Sequence, residues 1–265
     1  MTTTAPAQRI EIDGRPATAE SLLWPALVTT GHFTAMQVRD GRVRGLDRHL
    51  ARLDAATREL FGQDLDGERV RGLVRHILRD DTPDASVRVY VHAPDDEPSL
   101  MVTVRPPTEL AATMTDRAQA LMSVPYQRPF AHIKHLGGFA QARHGDLARR
   151  AGFDDALLTG PDGTISEGAV TNIAFFDGTD VVWPDAPHLA GITMQLVEGR
   201  LPAAGLPTRH APVTLADLPS YAAAFVTNAW GVSPVRRIDG VAFAVDEKLM
   251  ATVAGAYDQV PWDTL

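Results

Sequence analysis

Residues 133–197 read IKHLGGFAQARHGDLARRAGFDDALLTGPDGTISEGAVTNIAFFDGTDVVWPDAPHLAGITMQLV and contain most of the chemistry that the sequence offers. The stretch begins with an amine, Lys134, and continues to a carboxylate, Glu167, in a turn-rich segment. Asn172 follows, and Gly191-Ile192-Thr193 precedes a helical pattern. The order therefore places a nucleophilic amine, a carboxylate and a helix N-terminus in one region of the chain.

Lysine is scarce in this chain, whose 25 basic residues include only two lysines, Lys134 and Lys248. Arginine stays protonated in proteins whereas lysine can lose its proton, so a lysine is needed where a free amine reacts. Lys248 lies outside every motif and is predicted to be a surface residue. Lys134, Glu167 and the helix start at 191–193 match what pyridoxal phosphate requires: an amine, a partner for the ring nitrogen and a phosphate site.

Composition excludes several other classes of protein. The formal net charge of -8 argues against a nucleic-acid partner, and the absence of cysteine excludes disulfides and thiolate metal sites. No apolar run reaches the roughly 18 residues of a membrane span, and Met1–Arg9 lacks the apolar segment of a signal peptide. We therefore expect a cytoplasmic enzyme with no membrane partner. His132 and His135 lack a third ligand nearby, so no metal site is expected.

Turn signals and periodicity divide the chain into a small N-terminal α/β domain over residues 1–120, a linker over 121–130 and a larger cofactor-binding domain over 131–265. Asp40-Gly41 marks a hairpin, and Asp47 is placed to cap the helix after it. Elsewhere, apolar spacing predicts strands and helices. The predicted strands lie at 10–12, 32–39, 42–46, 87–91, 100–104, 156–159, 171–176, 181–183, 209–213, 223–227 and 234–238, and later helices at 138–151, from about 191 and at 246–257.

The ordered motifs also resemble those of the class IV aminotransferases. These are fold-type IV pyridoxal phosphate enzymes and include branched-chain aminotransferase, D-amino acid aminotransferase and aminodeoxychorismate lyase. The family pattern of a lysine, G-x-x-[DE]-A-L, D-G-x-[IV]-[ST]-E-G, N-[IL] and G-I-T is matched in order. His49-x-x-Arg52-Leu53 and Ser233-Pro234-Val235 extend the resemblance to most of the chain. It implies a two-domain fold of mixed α+β and α/β character, with a small N-terminal α/β domain and a larger C-terminal pseudo-barrel domain.

The resemblance implies a role for each matching residue. Lys134 matches the catalytic lysine that forms a Schiff base with pyridoxal phosphate and shuttles a proton, and Glu167 matches the carboxylate that pairs with the pyridinium nitrogen. Three elements match the phosphate site. They are Arg52, the turn of Ile192 and Thr193, and the small polar residue Asn228.

The substrate side departs from the family pattern. The resemblance places four residues there, namely Phe33, Thr34, Phe139 and Ala169. Branched-chain aminotransferases carry a tyrosine where this chain has Phe139. Relatives often carry an arginine for the substrate carboxylate in a loop that here reads His92-Ala93-Pro94-Asp95-Asp96. Because an acidic loop repels a carboxylate, a standard α-amino acid pose is in doubt.

The resemblance implies an aminotransferase that moves an amino group between a small-molecule amino donor and a keto acceptor, and a homodimer. Aminodeoxychorismate lyase, which eliminates pyruvate and leaves 4-aminobenzoate, stays open as an alternative. Three segments resemble the lyase: Ile133-Lys134-His135-Leu136, Thr227-Asn228-Ala229 and Phe33-Thr34. The lyase carries a second threonine after that pair, however, and this chain has Ala35 there. A non-catalytic member of the family is the third alternative.

Overall fold

The computed structural model describes residues 8–79 and 81–265, and its contacts divide the chain into two units. The first unit consists of the described part of Met1–Glu109 together with Ile133–Gly137 and Pro261–Leu265. The second consists of Leu110–His132 and Gly138–Val260. The sequence predicts no signal peptide at Met1–Arg9. Residues 1–7 of that segment lie outside the described residues.

The first unit is built on an antiparallel sheet whose apolar residues alternate with polar ones. Its elements are β1 (Arg9–Ile12), β2 (Arg15–Pro16), α1 (Leu23–Leu27), β3 (His32–Val38), β4 (Arg42–Arg44), α2 (Leu46–Phe61), α3 (Gly67–Leu78), β5 (Ala85–His92), β6 (Ser99–Arg105) and β16 (Trp262–Thr264). Five strands pair in the order β2-β1-β6-β5-β3, and β16 pairs with β4. The inward residues of β3, β5 and β6 pack with apolar side chains of α2 and α3 to form its core. The hairpin at Asp40-Gly41 is confirmed by the bridge between Arg39 and Arg42, and the predicted strands of β5 and β6 are confirmed by their pairing.

The start of α2 corrects one prediction. Asp47 does not cap this helix, because its N-cap is Gly45, in the left-handed conformation with φ 68°. The carboxylate of Asp263 instead accepts the backbone N–H of Leu46 at 2.9 Å. The acceptor thus comes from the far end of the sequence, and Asp47 lies within the first turn, where its charge favours the helix dipole.

The second unit is built on a nine-stranded mixed sheet. Its elements are α4 (Met114–Arg117), β7 (Gln119–Pro125), α5 (Phe139–Arg150), β8 (Asp155–Thr159), β9 (Ile165–Gly168), β10 (Asn172–Phe176), β11 (Val181–Pro184), α6 (Ile192–Glu198), β12 (Thr208–Ala211), β13 (Ala223–Asn228), β14 (Gly231–Ile238), β15 (Val241–Ala242) and α7 (Glu247–Asp258). The strand order is β12-β11-β10-β13-β14-β7-β8-β9, and β15 pairs with β14. Apolar residues of α6 and α7 pack with Trp183 and Phe225, whose rings meet edge to face at 5.7 Å.

Residues 119–125 differ from the sequence prediction, which begins a linker at residue 121. They form β7 in the interior of the sheet, parallel to both β14 and β8. Leu121 is fully buried, and Pro125 ends the strand, where a missing N–H costs least. No helix among residues 8–79 and 81–265 has the length and apolar character needed to cross a membrane.

Candidate active site

Lys134 belongs to the first unit, where its short segment pairs with the beginning of β3. The backbone N–H of Phe33 donates to the carbonyl of Lys134 at 2.9 Å, and Leu136 N–H donates to the carbonyl of Gly31 at 3.0 Å. These bonds fix the backbone on both sides of the amine. The Nζ atom of Lys134 lies over the Phe33 ring, 4.9 Å from its centroid.

A buried network connects β3 with α2 in the same unit. The Thr34 hydroxyl accepts a hydrogen bond from Arg52 Nη2 at 2.7 Å and lies 2.6 Å from His49 Nδ1. One turn further along α2, the Thr57 hydroxyl donates to the carbonyl of Leu53. His32 Nε2, 3.0 Å from the same hydroxyl oxygen, must therefore be the donor in that contact.

The charges around this network suit an anion. Burial, together with the charges of Arg52 and Lys134, lowers the pKa of His49 to about 3. Burial, aided by His92 and Arg52, lowers the pKa of His32 to about 4, so both rings are neutral near pH 7. Burial also lowers the pKa of Arg52 to about 10, which leaves the guanidinium protonated. The buried Arg52 guanidinium is thus a cation beside neutral histidine rings, and such a group suits an anionic ligand.

Glu167 lies in the second unit on β9, a strand whose residues are all buried. Its Oε1 is 3.4 Å from Arg128 Nη1, and both side chains are only 5% exposed. Arg128 Nη2 also donates to the carbonyl of Ala131 at 2.7 Å. Glu167 Oε2 accepts the backbone N–H of Leu189 at 3.2 Å. Oε2 therefore accepts a hydrogen bond, and Oε1 faces the Arg128 guanidinium.

The turn that precedes α6 is fixed from the neighbouring strand. Asn172 Nδ2 donates to the carbonyl of Leu189 at 2.7 Å, so the Leu189 residue is held by Glu167 at its N–H and by Asn172 at its carbonyl. A Cβ on Gly191 would lie 2.0 Å from Asn172 Oδ1, so a larger residue before α6 would displace the Asn172 side chain. The first N–H groups of such a helix have no intrahelical partner and can bind an anion.

The predicted phosphate residues of the second unit come together at this helix start. Thr193, in the first turn of α6 with Ile192, donates its hydroxyl to the Asn228 carbonyl at 2.7 Å. Asn228 ends β13, and its Oδ1 accepts the backbone N–H of Trp230 at 2.8 Å. Within residues 8–79 and 81–265, the buried Thr227 hydroxyl has no hydrogen-bond partner, and Thr227 pairs with Asn172 in the sheet. Unsatisfied buried polar atoms of this kind are expected where a polar ligand binds.

The four residues predicted on the substrate side differ in how deeply they are buried. Phe33 and Thr34 are neighbours on β3 and therefore point to opposite faces, with Thr34 fully buried beneath α2. In the second unit, Phe139 begins α5 and is 82% exposed. Ala169 is buried, and its carbonyl accepts Gln141 Nε2 at 3.0 Å.

Sequence reasoning missed the contributions of Arg128 and of the Thr34 network. Arg128 lies six residues before Lys134 in the predicted linker, where an arginine gives no local sign of burial. His49 and Arg52 share one motif, whose spacing of three residues on a helix would have placed both side chains on the same face.

A pyridoxal phosphate enzyme requires an amine, a carboxylate for the ring nitrogen and a site for the phosphate, and the described residues include a lysine amine, a buried carboxylate, a buried guanidinium and a helix start. The family model described as amino-transferase class IV matches residues 31–238. The chain therefore belongs to the class IV aminotransferase family, whose enzymes use pyridoxal phosphate. No curated protein sequence matches it significantly.

Solved structures show the same fold at low sequence identity. A fold IV transaminase of Curtobacterium pusillum superposes with a TM-score of 0.83 at 18% identity, over 96% of this chain and 100% of that chain. The pyridoxal phosphate-bound form of a hypothetical aminotransferase of Mycobacterium tuberculosis gives 0.79 at 19% identity, over 95% and 98%. A putative 4-amino-4-deoxychorismate lyase of Legionella pneumophila gives 0.80 at 16% identity, over 88% and 92%.

Proposed function

We propose that this protein is an aminotransferase that uses pyridoxal phosphate to transfer an amino group between a small-molecule amino donor and a keto acceptor. Lys134 would hold the cofactor through its Nζ amine. The observation that carries this proposal is the position of the Lys134 amine, which lies 4.9 Å from the Phe33 ring centroid on a segment whose backbone is hydrogen-bonded to the beginning of β3. It is one of only two lysines in the chain.

The proposed roles follow from the chemistry of each group. When bound, the cofactor supplies an electron sink for the bond that breaks at the substrate Cα. Glu167 binds the ring nitrogen, and Arg128 and the Leu189 N–H hold that carboxylate in one orientation. Arg52 and the N–H groups of Ile192 and Thr193 bind the phosphate, with Asn228 beside them. Lys134 Nζ takes a proton from Cα and returns it.

A spectral half-reaction tests this function. Protein loaded with pyridoxal phosphate is mixed with single amino donors, and loss of the cofactor's visible band is followed without an acceptor. The band should return when a keto acid is added, because the second half-reaction regenerates the cofactor. If no donor bleaches the band in protein that holds a full equivalent of cofactor, the aminotransferase proposal is wrong.

Aminodeoxychorismate lyase is the second candidate, favoured by the Ile133-Lys134-His135-Leu136 and Thr227-Asn228-Ala229 segments. The lyase needs no amino acceptor, so aminodeoxychorismate alone should release pyruvate if this alternative is right. Against it, the Thr34 hydroxyl is engaged by Arg52 and lies on the opposite face of β3 from Phe33. Assaying pyruvate with no added keto acid separates the two reactions.

Two further expectations accompany this proposal. We expect a homodimer, because the resemblance to the family implies one, and sedimentation velocity would measure its mass. A cytoplasmic location stays a prediction from the sequence.

A further inference from the structure

A threonine hydroxyl in the first unit lies between a histidine and the arginine proposed to bind phosphate. Thr34 is on β3, whereas His49 and Arg52 are three residues apart on α2, a spacing that puts both side chains on one face of the helix. Arg52 Nη2 donates to the Thr34 hydroxyl at 2.7 Å, and His49 Nδ1 lies 2.6 Å from the same oxygen. One hydroxyl therefore connects the histidine with the arginine.

The contacts of the Thr34 hydroxyl decide where its hydrogen lies. A hydroxyl donates one hydrogen bond and accepts up to two, and a guanidinium can only donate. Within residues 8–79 and 81–265, this hydroxyl forms hydrogen bonds only with Arg52 and His49. If His49 Nδ1 carried a hydrogen, the Thr34 hydroxyl would accept two bonds, and its own hydrogen would be fully buried without an acceptor. Thr34 therefore donates to Nδ1 of His49 and accepts from Arg52.

This arrangement requires a neutral His49 ring. Burial, aided by the charge of Arg52, lowers the pKa of His49 to about 3, so the ring is neutral near pH 7. Its hydrogen is then on Nε2, and the lone pair of Nδ1 accepts from Thr34. The hydrogen bonds thus run in one direction, from Arg52 to Thr34 and from Thr34 to His49.

A hydroxyl can orient a guanidinium without cancelling its charge. A carboxylate, such as that of Glu167 beside Arg128, offsets the charge of the arginine that it faces. Thr34 is uncharged, and it is itself fixed by burial on β3 and by His49. Because a long side chain loses rotamer freedom when it binds an anion, ordering Arg52 in advance lowers the cost of binding. A guanidinium has five N–H groups, so it can donate to a hydroxyl and to a phosphate at the same time.

We propose that Thr34 and His49 are positioning residues, which hold the Arg52 guanidinium in the orientation that binds the cofactor's phosphate. His49 acts through Thr34, and Thr34 acts through Arg52. The sequence predicts Thr34 on the substrate side, whereas in this role its hydroxyl serves the phosphate site. The role rests on the proposed function, because it takes Arg52 as a residue that binds the phosphate.

The ratio of two affinities tests the role of Thr34. Pyridoxal phosphate and phosphate-free pyridoxal are each titrated into the full-length protein, and the two dissociation constants are measured by fluorescence. Thr34→Val should lower the preference for the phosphate form about 10-fold, as expected for one lost hydrogen bond to a charged group. Thr34→Ser keeps the hydroxyl and should restore the preference. A wild-type ratio in Thr34→Val would overturn the proposal.

The matched control is Thr57→Val, which deletes a second fully buried hydroxyl, on α2. That hydroxyl contacts His32 and the carbonyl of Leu53, so its loss should reduce stability and leave the affinity ratio as in wild type. If both valine variants lowered the ratio equally, a general loosening of α2 would account for the effect, and the proposal would be wrong.

The ring nitrogens of His49 give a readout that does not depend on affinity. In isotope-labelled protein loaded with pyridoxal phosphate, proton–nitrogen NMR spectra should show the His49 hydrogen on Nε2, and loss of the signals in His49→Gln assigns them. The Nδ1 resonance should shift in Thr34→Val and stay in place in Thr57→Val. A hydrogen on Nδ1 would overturn the proposal. If Arg52→Gln retains the wild-type affinity ratio, the phosphate role of Arg52 in the proposed function fails, whereas the spectra still test the bond from Thr34 to His49.

Discussion

The guanidinium of Arg128 lies 3.4 Å from the carboxylate of Glu167, with both side chains almost completely buried. A buried ion pair is costly to desolvate, and it is especially costly to break. Leu189 donates its N–H to the other oxygen of Glu167, and this residue leads into the helix start of α6. The same carboxylate therefore connects a buried cation with the turn before the proposed phosphate site.

Replacing Arg128 should destabilise the protein strongly. Arg128→Gln removes the cation beside the buried Glu167 carboxylate, and we expect a loss of about 3 kcal/mol in the free energy of unfolding. Urea titration of the cofactor-free protein measures it. Combining Arg128→Met with Glu167→Leu should restore much of the loss, because neither charge is then buried alone.

The matched control is Arg58→Gln, which removes an exposed arginine paired with Asp54 on α2. Exposed pairs contribute little, so its unfolding curve should nearly superpose on that of wild type. If Arg128→Gln and Arg58→Gln lowered the free energy of unfolding by similar amounts, burial of the Arg128–Glu167 pair would not determine its contribution to stability.

Arg52 should bind the cofactor through its phosphate. We expect Arg52→Gln to weaken binding of pyridoxal phosphate about 10- to 100-fold and to leave binding of phosphate-free pyridoxal nearly unchanged. The ratio of the two affinities, measured by fluorescence titration, isolates the phosphate contact. Arg58→Gln on the same helix should retain the wild-type ratio. An Arg52→Gln variant that loses affinity equally for both ligands would indicate a structural role alone.

Stability should fall as the pH falls below about 6.5. His49 and His32 have pKa values lowered to about 3 and about 4, so they stay neutral in the folded protein while the unfolded chain takes up protons. Each histidine should cost about 1.6 kcal/mol of stability between pH 6.5 and pH 5. Urea titrations of cofactor-free protein at several pH values measure the slope.

The variant that checks this assignment is His49→Gln, which should lower the number of protons taken up on unfolding near pH 5 by about one. An unchanged slope in His49→Gln would show that His49 does not stay neutral in the folded state.

Local sequence patterns predicted most strands and helices, because alternation and turn residues act over a few positions. Such patterns do not predict contacts between residues that are far apart in the sequence. The acceptor at the start of α2 is Asp263, more than two hundred residues away, and no local signal distinguishes it from Asp47. Residues 121–125 resemble a linker because of Pro125, yet burial between two strands makes them part of the sheet.

In the candidate site, too, local motifs predicted some residues, and residues that depend on tertiary contacts were missed. Family motifs predicted Lys134, Glu167 and Thr193 by their order, and their catalytic roles stay predictions. Arg128 was missed because its role depends on a tertiary contact with Glu167.

The most direct test of the proposed chemistry is the identity of the residue that carries the cofactor after borohydride reduction. With two lysines in the chain, peptide mapping by mass spectrometry has few possible outcomes. The pyridoxyl group should be on Lys134, and Lys134→Ala should lose the visible absorbance band that Lys248→Arg retains. A label on Lys248 or on the N-terminal amine, or a band that persists in Lys134→Ala, would contradict the assignment of Lys134.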